Sequence, residues 1–68
     1  MEIRTLVGQS VRTYREALSL SQEQLAFKAD LHQTYVSGVE RGIRNPTIEI
    51  VARLAAALGI KPSQLLEG

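Results

Sequence analysis

An all-α fold of five short helices is what this sequence predicts, and three observations point to it. Apolar residues recur at helical rather than alternating spacing, beginning with Leu6/Val7, Val11, Tyr14 and Leu18. Pro, Gly and Ser occur singly, where helices should start or stop, and no strand pattern lies between them. The stretch from Ser21 to Glu40, SQEQLAFKADLHQTYVSGVE, reads as two short helices joined by a tight polar corner.

The first helix is expected over about Ile3 to Leu18, with Gly8 inside it at a cost of about 1 kcal/mol relative to Ala. Close packing is the one account of that glycine. Ser21-Gln22-Glu23-Gln24 opens the second helix as a capping box, in which Ser21 caps the backbone and Gln24 reaches back. Glu23 in that first turn suits the helix dipole. Asp30 falls at the corner, where Asp tolerates a left-handed backbone. The third helix is expected from Gln33 to Arg41, with Gly42 as its stop. Asn45-Pro46-Thr47 begins the fourth, either Asn45 or Thr47 serving as cap. Ile48, Val51, Leu54/Ala55 and Leu58 form its expected buried stripe, and Gly59 ends it with Ile60 folding back. Pro62 opens a short fifth helix through Leu65 and Leu66.

A chain of 68 residues makes one domain, expected over residues 1–68, near the lower limit for folding without staples. A core of this size rarely supplies more than about 3–5 kcal/mol, so oligomerisation is a plausible further source of stability. There is no cysteine, which excludes disulfides and thiolate metal sites and fits a reducing, cytoplasmic compartment. No apolar run approaches the roughly 20 residues of a bilayer span. The start, MEIRTLVGQS, lacks the apolar region of a secretion signal. One histidine, His32, and no clustered carboxylates leave no acid–base pair and no metal site, so neither an enzyme nor a cofactor is expected. So short a chain also has little room for a small-molecule pocket.

Within the Ser21–Glu40 stretch, Leu25, Ala26, Ala29, Leu31, Val36 and Val39 turn one face of each helix toward the other. Gln33, Thr34, Ser37 and Gly38 remain on an outer face. The small residue Ala26 lets the two helices cross closely, so that the second projects outward. That is helix-turn-helix geometry, in which the projecting helix enters the DNA major groove. The net charge of +1 supports a nucleic-acid partner only weakly. Its distribution supports it better: Arg41 and Arg44 flank the end of the third helix beside Asn45, with Glu40 the nearby acid.

From about Val7 to Leu66 the chain resembles the helix-turn-helix domain of the phage lambda repressor and Cro family. The matching strings are Arg15, SQEQLA, the ERG after the third helix, RNPT and LAAALGI. HQTYVSGVERGIRN is particularly similar to the controller proteins of bacterial restriction–modification systems, which are stand-alone homodimeric transcription regulators. Related strings occur in other small repressors and in antitoxins, so an antitoxin is the alternative reading. The resemblance implies a compact lambda-repressor-like fold, an ion pair between Arg15 and Glu40, and a phosphate contact by Gln22. The sequence departs from the family pattern at Ser19 and Asp30, where Gly is usual, at His32, usually a polar cap, and at Gly38, where many relatives carry a long base-reading side chain.

Gln33 stands at the end of the third helix that points at base edges, and an amide can bond adenine through two hydrogen bonds. Thr34 offers a methyl to thymine or a hydroxyl to a base or phosphate; Ser37 is a shorter donor. Gly38 admits either close approach of its backbone to DNA or a packing role. Arg41, Arg44 and Asn45 are phosphate candidates, which position rather than specify, and Arg12 and Lys28 are weaker ones. Tyr35 either leans to the DNA backbone or packs its ring against the second helix. Core packing does not easily absorb Ile50, Ala57 and Leu66, which suggests a homodimer surface. A two-fold dimer presents its reading helices about 34 Å apart, to a pseudo-palindromic operator with half-sites about ten base pairs apart.

Overall fold

Several helix boundaries trace to local interactions. The computed structural model describes residues 2–67; Met1 and Gly68 of the expected domain lie outside them. Four α-helices, α1 (Ile3–Ala17), α2 (Gln22–Ala29), α3 (Gln33–Glu40) and α4 (Ile48–Leu58), are followed by a 3-10 helix, Pro62–Leu66. The Ser21 hydroxyl accepts from the Gln24 N–H at 3.0 Å and the Gln24 side chain accepts from the Ser21 N–H at 2.8 Å, a complete capping box. Asp30 ends α2 in the left-handed region, φ 58°, and Ser19 takes the same conformation before it, φ 57°. Thr47, not Asn45, caps α4, its hydroxyl accepting from the Ile50 N–H at 3.2 Å. Gly59 terminates that helix with φ 73°, and the Ile60 N–H turns back to the Ala55 carbonyl.

Twelve buried apolar residues form one core, to which all four α-helices and the 3-10 helix contribute. Leu25, Val36, Leu54 and Leu65 are fully buried within it. α4 packs behind α2, while α1 packs across α3 and the 3-10 helix. The α2–α3 pair is thereby held from behind by both remaining helices. Arg53 of α4 adds a polar strut, its guanidinium donating to the Asp30 carbonyl at 3.4 Å. No helix among the described residues is long and apolar enough to cross a membrane.

The structure corrects the expected pattern in several places. The fifth helix is 3-10 rather than α, as suits so short a run. Leu18 follows the end of α1, which stops at Ala17, and is exposed. Ile48, expected in the buried stripe of α4, is 90% exposed, because its first-turn position overhangs the end of the core. Ile50 and Ala57, expected on a partner surface, are instead half-buried against the core. Ile50 sits one turn before Leu54, and Ala57 beside Leu58, so both lie along the edge of the same stripe. Of the three residues expected at a dimer surface, only Leu66 is exposed, at 47%.

Two contacts bind α1 to the carboxyl end of α3. A Cβ on Gly8 would lie 2.3 Å from the Val39 carbonyl oxygen and 2.9 Å from that of Glu40. The missing side chain is what lets the two backbones approach. The second contact is an ion pair. The Arg15 Nε donates to Glu40 Oε2 at 2.6 Å and Nη2 to Oε1 at 3.0 Å, while Nη1 donates to the Leu20 carbonyl at 2.7 Å. The Glu40 side chain is 1% exposed and that of Arg15 is 11% exposed. The hydrogen bonds it donates to Glu40 hold the Arg15 guanidinium above its usual range, outweighing the opposing effect of burial. A raised folded-state value means that the contribution is fully present below the unfolded one and lost only as pH climbs through the folded one. Both lie far above neutrality, so this pair is no pH switch.

Gly8→Ala should therefore lower the thermal midpoint despite alanine's better helix propensity. Overpacking costs about 1–3 kcal/mol, and each 1 kcal/mol shifts the midpoint of so small a domain by about 4–8 °C. A midpoint equal to or above that of the parent in circular-dichroism melts contradicts the close crossing. Glu40→Ala strands a buried guanidinium and should cost about 3–5 kcal/mol. An unchanged melt in that variant removes the pair from any structural role.

Candidate nucleic-acid interface

α3 has one face in the core and one in solvent. Val36 and Val39 are fully buried, while Gln33 and Thr34 on the first turn are exposed, Ser37 is half-buried, and Arg41 is exposed at the carboxyl end. An exposed polar stripe therefore runs Gln33, Thr34, Ser37, Arg41 along two turns. His32 precedes it with no side-chain cap, so the amino end is not closed over by its own chain.

Gly38 does not belong to that stripe. It is buried, and what covers it is the side chain of Arg44. Its carbonyl accepts from the Ile43 N–H at 2.9 Å and the Arg44 N–H at 3.2 Å, which folds the loop after α3 back along the helix. The guanidinium of Arg44 reaches the Tyr35 ring, 5.5 Å from its centroid. Tyr35 is half-buried, packed against the core on one side and met by Arg44. The expectation of Gly38 as a bare outer position is corrected: the loop occupies it.

Gln22 stands at the first position of α2, half-buried, and its side-chain N–H donates to Glu40 Oε1 at 3.0 Å. One of its two amide hydrogens is thus committed, which orients the group and leaves the second and the carbonyl for other partners. The same carboxylate lies 3.7 Å from Arg12 of α1, an exposed side chain. Asn45 is exposed beyond the loop, next to Pro46. Gln22, Gln33, Thr34, Ser37 and Arg41 belong to the two helices of the pair, and Arg44 and Asn45 follow directly in chain order. Neither the Gln22–Glu40 bond nor the Arg12 approach has a spacing signal, since both join residues far apart in the chain. The seating of Arg44 has one faint signal, a glycine in mid-helix.

The exposed stripe carries amide, hydroxyl and guanidinium groups and no carboxylate, a set suited to hydrogen bonding base edges and phosphates. The helix-turn-helix family model HTH_3 matches residues 11–65. The control protein C.BamHI of Bacillus amyloliquefaciens is 48% identical over 66 residues, which cover 96% of this chain and 82% of that protein. The solved structure of the restriction–modification controller protein C.AhdI from Aeromonas hydrophila superposes with a TM-score of 0.89 at 47% identity, covering 91% of this chain and 94% of that one. SinR of Bacillus subtilis, solved in complex with DNA, gives 0.85 at 32% identity over 90% of this chain and 98% of that one. The chain belongs to the Cro/C1-type helix-turn-helix family and is a DNA-binding regulator rather than an enzyme, similar to the controller proteins of restriction–modification systems.

Proposed function

We propose that this protein is a restriction–modification controller that binds a pseudo-palindromic operator as a homodimer, one α3 in each of two successive major grooves. The observation that carries the reading is the exposed Gln33–Thr34–Ser37–Arg41 stripe on a helix braced from behind. Gln33 reads adenine through its amide, Thr34 and Ser37 make shorter contacts to bases or phosphate, and Arg41, Asn45 and Gln22 fix the register on the backbone. Identity of 48% to one control protein and 47% to another supports the controller assignment over an antitoxin.

We place the dimer surface at one group of uncovered apolar side chains. Ile3 at 54%, Ile48 at 90% and Leu66 at 47% exposure ring a cleft between α1, α4 and the 3-10 helix, floored by Val7 and Val51. Asn45 lies on its rim, so the cleft adjoins the loop after α3. Regulation then follows protein concentration through the monomer–dimer equilibrium.

Selection of bound sequences from a random DNA pool should return a two-fold symmetric site with half-sites about ten base pairs apart. Gln33→Ala should relax one position in each half-site by about 1–3 kcal/mol. Arg41→Ala should weaken operator and random DNA alike and reduce the salt slope by about one. Equal losses on both DNAs for Gln33→Ala argue against direct readout. Ile48→Asp should leave the monomer folded, since the side chain is exposed and an acid suits the first turn of a helix. It should shift sedimentation toward monomer and lower operator affinity; a dimer of unchanged strength moves the interface elsewhere.

A further inference from the structure

Position 38 falls one turn after Thr34 on α3, where a side chain would stand beside the exposed stripe. The chain has glycine there, yet the space is filled. An ideal Cβ would lie 2.6 Å from Arg44 Cγ, 3.6 Å from its Cδ and 3.5 Å from its Nε. The aliphatic stem of Arg44 therefore lies along α3 in the place of the missing side chain and runs back toward the amino end. Its course is set at both ends. The loop turns at Gly42, φ 75°, and the paired hydrogen bonds of Ile43 and Arg44 to the Gly38 carbonyl anchor the root. The guanidinium ends over the Tyr35 ring, on the turn that also bears Gln33 and Thr34. Among the described residues it forms no ion pair with a carboxylate.

We propose that Arg44 is a specificity-determining residue, reading a guanine in each half-site from the surface of α3, with Gly38 and Tyr35 as its seat. This rests on the reading of α3 as the helix in the major groove. A guanidinium has the planar fork that bonds guanine O6 and N7 together, and a flexible stem ordinarily loses much freedom in reaching them. Seating on Gly38 and stacking on Tyr35 remove that freedom before DNA arrives. A phosphate contact needs no such seat, because phosphate accepts a cation from many directions. The glycine and the arginine form one device: the helix gives up a side chain of its own and the loop supplies a longer one.

The test uses the full chain and compares base preferences by sequence selection and competition binding. Arg44→Ala should lower discrimination at one G·C pair per half-site by about tenfold or more and leave the other positions as they were. Gly38→Ala should cause the same loss at the same pair by displacing the stem, with the helical fold retained by circular dichroism. The double variant should lose no more discrimination than Arg44→Ala alone. Arg44→Ala weakening operator and random DNA by one common factor, with base preferences intact and the salt slope reduced by about one, overturns the proposal in favour of a phosphate contact. Unchanged preferences in Gly38→Ala overturn the seating. A parent protein that selects no sequence at all fails the operator reading and this proposal with it, whereas the first outcome removes Arg44 alone and the second removes its seat.

Discussion

The carboxylate of Glu40 is the constraint on which the arrangement of this small domain depends. It is a nearly inaccessible charge at the end of α3, and it is bonded by Arg15 from α1 and Gln22 from α2. Three helices meet at one side chain. A buried anion is costly unless its oxygens are satisfied, and here both are, by a forked guanidinium and an amide. The remaining Arg15 hydrogen bond goes to the Leu20 carbonyl, in the turn that leads into α2. The ion pair thus fixes where α2 starts as well as where α3 ends. Replacing it with apolar groups of like shape could leave the stability intact, but it would release the orientation of Gln22, whose amide the carboxylate holds.

That arrangement links the interior to the binding face without any moving part. Gln22 begins α2, where free backbone N–H groups and the helix dipole favour an anion, and its side chain is already aimed by a group of the core. A similar economy governs net charge. The chain carries only +1 overall, yet Glu40, the acid at the end of the reading helix, is neutralised by Arg15 and approached by Arg12. Among the described residues Arg41 and Arg44 form no ion pair, so the stripe carries more positive charge than the sum implies.

Much of the fold was legible in the sequence because it was written in local chemistry. Ser21 and Gln24 specify a start, Asp30 a left-handed corner and Gly59 a stop, and each acts within four residues of its partner. The α2–α3 core positions were legible too, since Leu25, Ala26, Val36 and Val39 obey the helical period. The rest depended on where helices end relative to one another. Ile48 and Ile50 differ by two residues and by chemistry not at all, yet one overhangs the core and the other lines it. They lie about 200° apart around α4, and the period alone does not say which edge of the stripe the core covers. Gly8 and Gly38 are likewise indistinguishable as letters. One faces backbone carbonyls and the other the stem of a side chain, so what a methyl would displace differs between them.

The binding face and the core are not separable regions of this protein. α3 has eight residues, too few to persist as a helix in water, so its shape is imposed by tertiary contacts. Within those two turns the core residues Val36 and Val39 and the buried Glu40 alternate with Gln33, Thr34, Ser37 and Arg41. Every polar group of the exposed stripe is thus within one turn of a buried residue. Specificity can change freely only at positions whose side chains leave the core untouched, namely the exposed stripe and the loop that lies over Gly38. The proposed reader Arg44 has an advantage in this respect, since it is exposed and lies on the loop rather than on α3.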